Sequence, residues 1–188
     1  MNIGKTLYLT NRKTWRRWLR KNHSAKKEIW LIYYKKDSGK KRIPYNDAVE
    51  EALCYGWIDS TIKTRDAVSF VQRFTPRRPK SELSESNKER IRRLMKAGKM
   101  TKAGRDKIAH HLSSLTGARS KFVCPKDILD RLKQNPEAWK NYRRLPLAYK
   151  RIRIGWIDAS RLRPEFFRKR LQYFISMTER NKRFGMIQ

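Results

Sequence analysis

The 188-residue chain carries 48 Lys and Arg against 17 Asp and Glu, a formal charge of +31, and this charge is spread at about +10, +10 and +11 over residues 1–65, 66–125 and 126–188. A basic tail is therefore excluded as its origin, and long-range attraction to polyanions is the first expectation. No run approaches 18 apolar residues, which excludes a membrane-spanning helix, while six Trp, eight Tyr and seven Phe are enough for a compact core.

The chain opens with a start lacking an apolar stretch, from which no secretory leader and a cytoplasmic location are expected. Leu7–Thr10 reads as a short strand, and Asn11 caps a helix to Asn22. On that helix Trp15, Trp18 and Leu19 share one face, and Lys13, Arg16, Arg17 and Arg20 form a stripe at i, i+3, i+4 and i+7 on the other. Glu28–Lys36 is the strongest strand, rich in aromatic and β-branched residues, and Asp37-Ser38-Gly39 ends it. Pro44 opens a helix over Tyr45–Tyr55, closed by Gly56. Ile58–Arg65 and Val68–Thr75 then read as a hairpin turning near Asp66.

The stretch Gln72–Arg90 (QRFTPRRPKSELSESNKER) follows as a strap. Pro76 and Pro79 hold it extended, so Arg77, Arg78 and Lys80 are displayed beside a helix start that Ser84 or Ser86 would cap. Cations on a stiff segment next to free helix N–H groups make a phosphate site. Arg73, Lys88 and the stripe Lys13, Arg16, Arg17 and Arg20 join it as candidate anion contacts. The alternative reading pairs the strap arginines with Asp59, Glu82 or Glu85 as a clamp.

Beyond the strap the pattern turns helical. The capping pair Ser86/Glu89 and Gly98 bound one helix, and Thr101 caps another reaching Leu112. Residues 113–124 are the linker candidate. Helices follow from Pro125 to Lys133, from Asn135-Pro136 to Leu145, from Pro146 to Ser160 and from Pro164, where Phe167, Leu171, Phe174 and Thr178 make a buried stripe. The expected fold is α+β. Residues 1–112 supply a small, mainly antiparallel sheet with helices, and residues 125–188 a helical part.

Several runs carry a resemblance. EEALCYGWIDS (Glu50–Ser60), QRFTPRRPKS (Gln72–Ser81), SNK (Ser86–Lys88), GKMTKAG (Gly98–Gly104), NPEAW (Asn135–Trp139), LPLAYKR (Leu145–Arg151) and WIDASRLRPEFFRKR (Trp156–Arg170) resemble the YdeI/OmpD-associated, or bacteriocin-protection, family over nearly the whole chain. The resemblance implies the α+β fold with a helical end, and its label implies a porin- or envelope-stress-linked role. Two departures stand out: Leu83 occupies a position where the family tends to have Trp, and the chain is far more basic than is usual there.

Catalytic and metal chemistry is weakly signalled. His23, His110 and His111 have no chelating spacing, and no phosphate-cradling or nucleophile-elbow motif occurs, so no catalytic residue, metal or cofactor is assigned. Cys54, near a helix C-terminus and among apolar neighbours, is expected to be a packing residue, and Asp59 a structural partner. Trp30, Tyr33, Tyr34, Phe70 and Phe74 on the strands would stack bases if one face of the sheet were open. The expected function is phosphate-directed nucleic-acid binding with little sequence preference, RNA slightly ahead of DNA, and without membrane insertion. A small-ligand or enzyme site between Gly56–Ser60 and Phe74–Lys80 is the alternative.

Overall fold

The computed structural model describes residues 2–79, 81–116 and 122–185. They form an α+β protein that divides into two compact units. The first comprises residues 1–81 and 91–112; the second, residues 82–90 and 113–188.

The first unit is built on a four-stranded sheet ordered β1-β2-β4-β3, from β1 (Thr6–Tyr8), β2 (Ile29–Tyr34), β3 (Trp57–Asp66) and β4 (Ser69–Pro76). β1 runs parallel to β2, and the other pairings are antiparallel. The hairpin turns where expected: Asp66 Oδ1 accepts from the Val68 N–H at 3.0 Å, a short side-chain turn that reverses the chain. Helix α1 (Arg12–Asn22) starts where Asn11 accepts from the Thr14 N–H at 3.0 Å, and α2 (Tyr45–Cys54) starts after Pro44. Trp15 and Leu19 of α1 are fully buried, and the Trp15 ring lies 5.5 Å from Phe74 on the sheet. The Trp15 indole N–H donates to Ala48 O at 2.9 Å, so its one polar atom is satisfied inside the core.

A cluster of charge fastens α1 to α2. Glu51, 2% exposed, accepts from Arg12 Nε and Arg16 Nη1, both at 2.7 Å. Glu50 accepts from Arg12 Nη2 at 3.2 Å and from Arg93, and Asp47 from Arg12 Nη1 at 3.1 Å. The acidic pair inside EEALCYGWIDS thus anchors a neighbouring helix.

Helix α3 (Glu85–Lys96) is capped by Ser84, whose Oγ accepts from the Asn87 N–H at 3.3 Å, rather than by Ser86. The helix expected from Thr101 to Leu112 is interrupted. Helix α4 spans only Lys102–Lys107, a 3-10 turn covers Ala109–His111, and α5 is Leu112–Leu115. Part of the expected linker is therefore helical, and its residues 117–121 lie outside the described residues.

The second unit contains α6 (Lys126–Lys133), α7 (Pro136–Arg144), α8 (Leu147–Asp158) and α9 (Pro164–Glu179) around a core that includes Ile128, Leu132, Tyr142, Ile154, Ile157 and Phe174. Asn135 caps α7, accepting from the Ala138 N–H at 2.9 Å. The phrase Gly-Trp-Ile-Asp sits at the start of β3 in its first occurrence and inside α8 in its second. Among the described residues no helix is long and apolar enough to cross a membrane.

Candidate anion-binding groove

The site is organised by the carbonyl end of α2. Cys54 O accepts from Thr101 twice, from its N–H at 3.1 Å and its hydroxyl at 2.6 Å. Thr101 also caps α4, with its Oγ1 accepting from the Gly104 N–H at 3.3 Å. Gly104 meets α2 so closely that an added Cβ would stand 2.2 Å from Cys54 O. Gly56 has φ +74, a left-handed turn that reverses the chain into β3, and its carbonyl accepts from the Arg77 N–H at 2.9 Å. One glycine turn thereby aligns β3, the strap and α4.

A groove of about 760 Å³ lies between these elements, lined by the end of α1 (His23), the loop 24–27, Tyr55, Gly56 and Trp57, Arg73, Thr75 and Pro76 of β4, Arg78, and Ala103, Asp106 and Lys107 of α4. Lys26, Lys27, Arg73, Arg78 and Lys107 supply five positive charges against the single carboxylate of Asp106, which Lys102 holds at 2.8 Å. A second cleft of about 540 Å³ adjoins it, lined by Lys13, Arg16, Arg17, Arg20 and again Tyr55. The Tyr55 ring stands at the join, 5.4 Å from the Arg16 guanidinium carbon and 5.2 Å from the His23 ring centre. Of the nine Lys and Arg residues lining the two hollows, Arg16 is paired with Glu51 and Arg73 with Glu28. The other seven have no carboxylate partner among the described residues. Arg73 in turn holds the Glu28 carboxyl below its usual range.

The sequence candidates divide accordingly. Lys13, Arg17 and Arg20 are exposed and face one cleft, Arg78 is exposed on the groove, and Arg73 lines it while tied to Glu28. Arg16 lines the cleft with its guanidinium held by Glu51 and by Lys99 O at 3.1 Å. Arg77 is buried instead. It is 5% exposed and donates to Ser81 O and Ser81 Oγ, both at 2.9 Å, while His111 Nε2 also lies 3.0 Å from Ser81 O. Proline stiffness and a run of arginines do not reveal that one of them turns inward to fix the bend. Lys88 is ion-paired with Glu85 at 2.5 Å. Lys80 lies outside the described residues, and the strap arginines and the start of α3 fall in different units.

Lys26, Lys27 and Lys107 were missed. The Lys26-Lys27 pair just past α1 was visible as a charge doublet, but Lys107 reaches the groove only because Gly104 brings α4 against α2.

The strand aromatics are mostly buried. Trp30 and Phe74 are fully buried and Tyr33 is 2% exposed, on β2 and β4, the two inner strands of the sheet. Phe70 stacks on Tyr33 at 5.3 Å, and Tyr34 is half-buried beneath Lys40. The sheet therefore offers no open row of rings to bases. Asp59 accepts from the Tyr45 hydroxyl at 2.6 Å, a structural partnership of the kind expected.

Cys54 is fully buried, and burial pushes its thiol up to about 11. Native protein at neutral pH should therefore resist alkylation at Cys54 while the half-buried Cys124 reacts first, as mass mapping of iodoacetamide-treated protein would read. Rapid labelling of Cys54 in folded protein would contradict this assignment.

Two family models match the chain. Residues 7–107 match the one described as a domain of unknown function (DUF8412). Residues 121–181 match the one described as bacteriocin-protection, YdeI or OmpD-associated. Neither the search of curated proteins nor that of solved structures found a match.

Proposed function

We propose that this chain, which belongs to the DUF8412 family and carries a YdeI/OmpD-associated segment at residues 121–181, binds nucleic acid through its phosphate backbone. One observation carries the reading: seven Lys and Arg side chains without carboxylate partners among the described residues line two adjoining hollows joined at Tyr55. Cations left unpaired in a concave surface focus field on a polyanion, whereas a merely solvated surface interleaves both signs. The slight preference for RNA draws on distributed charge and on stacking by the sheet aromatics. With those rings buried, the reading carried forward is phosphate-directed, with little sequence preference and no preference between RNA and DNA. A cytoplasmic location belongs to the same proposal.

If about six phosphates are engaged, log K against log salt should fall with a slope near −5 on duplex DNA. Changing Lys26, Lys27, Arg78 and Lys107 together to Gln should flatten that slope by about 3 and weaken binding about 10³-fold at ~0.1 M salt. Four second-unit lysines changed likewise, Lys126, Lys140, Lys169 and Lys182, give the same loss of net charge and should leave the slope nearly unchanged. A slope near zero in the parent, or equal losses from the two quadruple variants, would sink the proposal.

A second reading has its own support. The groove is walled by Gly56, Trp57, Thr75, Pro76 and Arg78, the segments expected to frame a small-ligand pocket, and its volume suits a small phosphorylated molecule. Competition by a mononucleotide at micromolar concentration would favour it over the polymer. The bacteriocin-protection wording of the matched family adds an envelope-linked partner as a further reading, which no feature of the groove favours.

A further inference from the structure

The second unit holds a cation that the groove does not use. Arg153, on α8, is only 7% exposed, and its Nε is buried with no hydrogen-bond partner. No hydrogen bond or ion pair reaches its guanidinium from any described residue. Its partners are rings instead: the guanidinium carbon lies 4.7 Å from the centre of Phe184, 5.4 Å from Tyr149 and 6.0 Å from Trp156.

The chain closes this box with its own backbone. The Phe184 N–H donates to the Tyr149 hydroxyl at 3.0 Å, and Gly185 follows with φ +82. A Cβ at Gly185 would stand 2.6 Å from Arg153 Nη2, so the backbone passes directly against the guanidinium. Two further arginines face the same rings, Arg170 at 4.6 Å from Trp156 and Arg183 at 6.0 Å from Tyr149. Arg170 spends one N–H on Trp156 O at 2.5 Å, and neither arginine has a carboxylate partner among the described residues.

Ring faces offset part of the cost of burying a positive charge. They supply no oxygen acceptor, however, and Arg153 Nε stays buried without a hydrogen-bond partner. Five donors in a rigid fork match two oxygens of one anionic group. We propose that Arg153 forms the floor of a site for a small phosphate-type oxyanion, with Arg170 and Arg183 at its rim. The burial of Arg153 keeps a polymer backbone away, so this site is distinct from the proposed nucleic-acid groove and independent of it.

The test follows thermal unfolding of the full chain at fixed ionic strength while inorganic phosphate replaces chloride. The parent midpoint should rise saturably, by about 5 °C at a hundred times the dissociation constant. Arg153→Met should lose that rise and, in chloride alone, melt no lower than the parent, because it removes a buried charge without a counter-ion. Arg153→Lys keeps charge and volume but not the fork, and should retain under half the rise. An equal rise in parent and Arg153→Met would place phosphate elsewhere on the surface and overturn the site. No saturable rise in the parent, or a Met variant weakened equally with and without phosphate, would make Arg153 a structural cation of the aromatic box. If the Met variant fails to fold, the Lys variant decides, an undiminished rise overturning the proposal. Duplex DNA should stabilise parent and variants alike; a DNA effect lost with Arg153 would overturn the assignment of a small occupant.

Discussion

Gly104→Ala should destabilise the protein by about 3 kcal/mol and lower its unfolding midpoint by about 10 °C. Helix propensity alone predicts the opposite sign, since replacing Gly by Ala in a helix ordinarily gains up to about 1 kcal/mol. Contact geometry decides. The new methyl would stand 2.2 Å from Cys54 O, 2.7 Å from Cys54 C and 2.9 Å from Leu53 O. All three are backbone atoms at the end of α2, so no side chain can swing aside, and α4 must lift away. Gly98 is the control: its φ is +65 and nothing lies within 4 Å of an added methyl, so Ala there should cost only about 1 kcal/mol, from the left-handed backbone. Denaturant unfolding of the two variants would check the order. Since α4 carries Lys107, Gly104→Ala should also weaken nucleic-acid binding more than loss of Lys107 alone.

That contact shows where sequence reasoning ends. Gly104 sits inside a helical pattern, and nothing along the chain says that another helix terminates against it. The elements themselves were legible because their signals are local: Asn11, Asn135 and the prolines at 44, 136 and 164 mark helix starts, and Asp66 marks the hairpin. The break at Ile108 was not legible, because apolar and helix-forming residues run through it without a Gly or Pro. Of the candidate site, periodicity put Lys13, Arg17 and Arg20 on one helix face, and they line one cleft. It could not tell that Arg16, equally spaced, meets a carboxylate from another helix, because pairing between helices depends on their packing. The same limit hid the inward turn of Arg77 and the burial of both faces of β2. Alternation assigns residues to faces but does not say which face is covered.

Glu51→Gln should cost about 3 kcal/mol in stability without weakening nucleic-acid binding by the folded protein. Glu51 is 2% exposed and divides its two oxygens between Arg12 and Arg16, each at 2.7 Å. Glutamine retains one acceptor and turns an N–H₂ group toward a guanidinium, so one arginine loses its partner and gains a repulsive neighbour. The cost sits at the low end for breaking a buried pair because Arg12 and Arg16 keep solvent on one side, with side chains 29% and 37% exposed. Asp47→Asn should cost under about 1 kcal/mol, since Asp47 is itself a third exposed and Arg12 retains Glu50 and Glu51. Binding should move the other way. Arg16 lines the cleft beside Arg17 and Arg20, and removing the charge of Glu51 frees its guanidinium for phosphate. At ~0.1 M salt the folded variant should bind duplex DNA as tightly as the parent or up to about tenfold tighter, with a slope steeper by up to about 1. Denaturant unfolding and salt-dependent titration of one preparation separate the two effects. Weaker binding with unchanged stability would mean that Glu51 positions Arg16 for the ligand and does not hold α1 to α2.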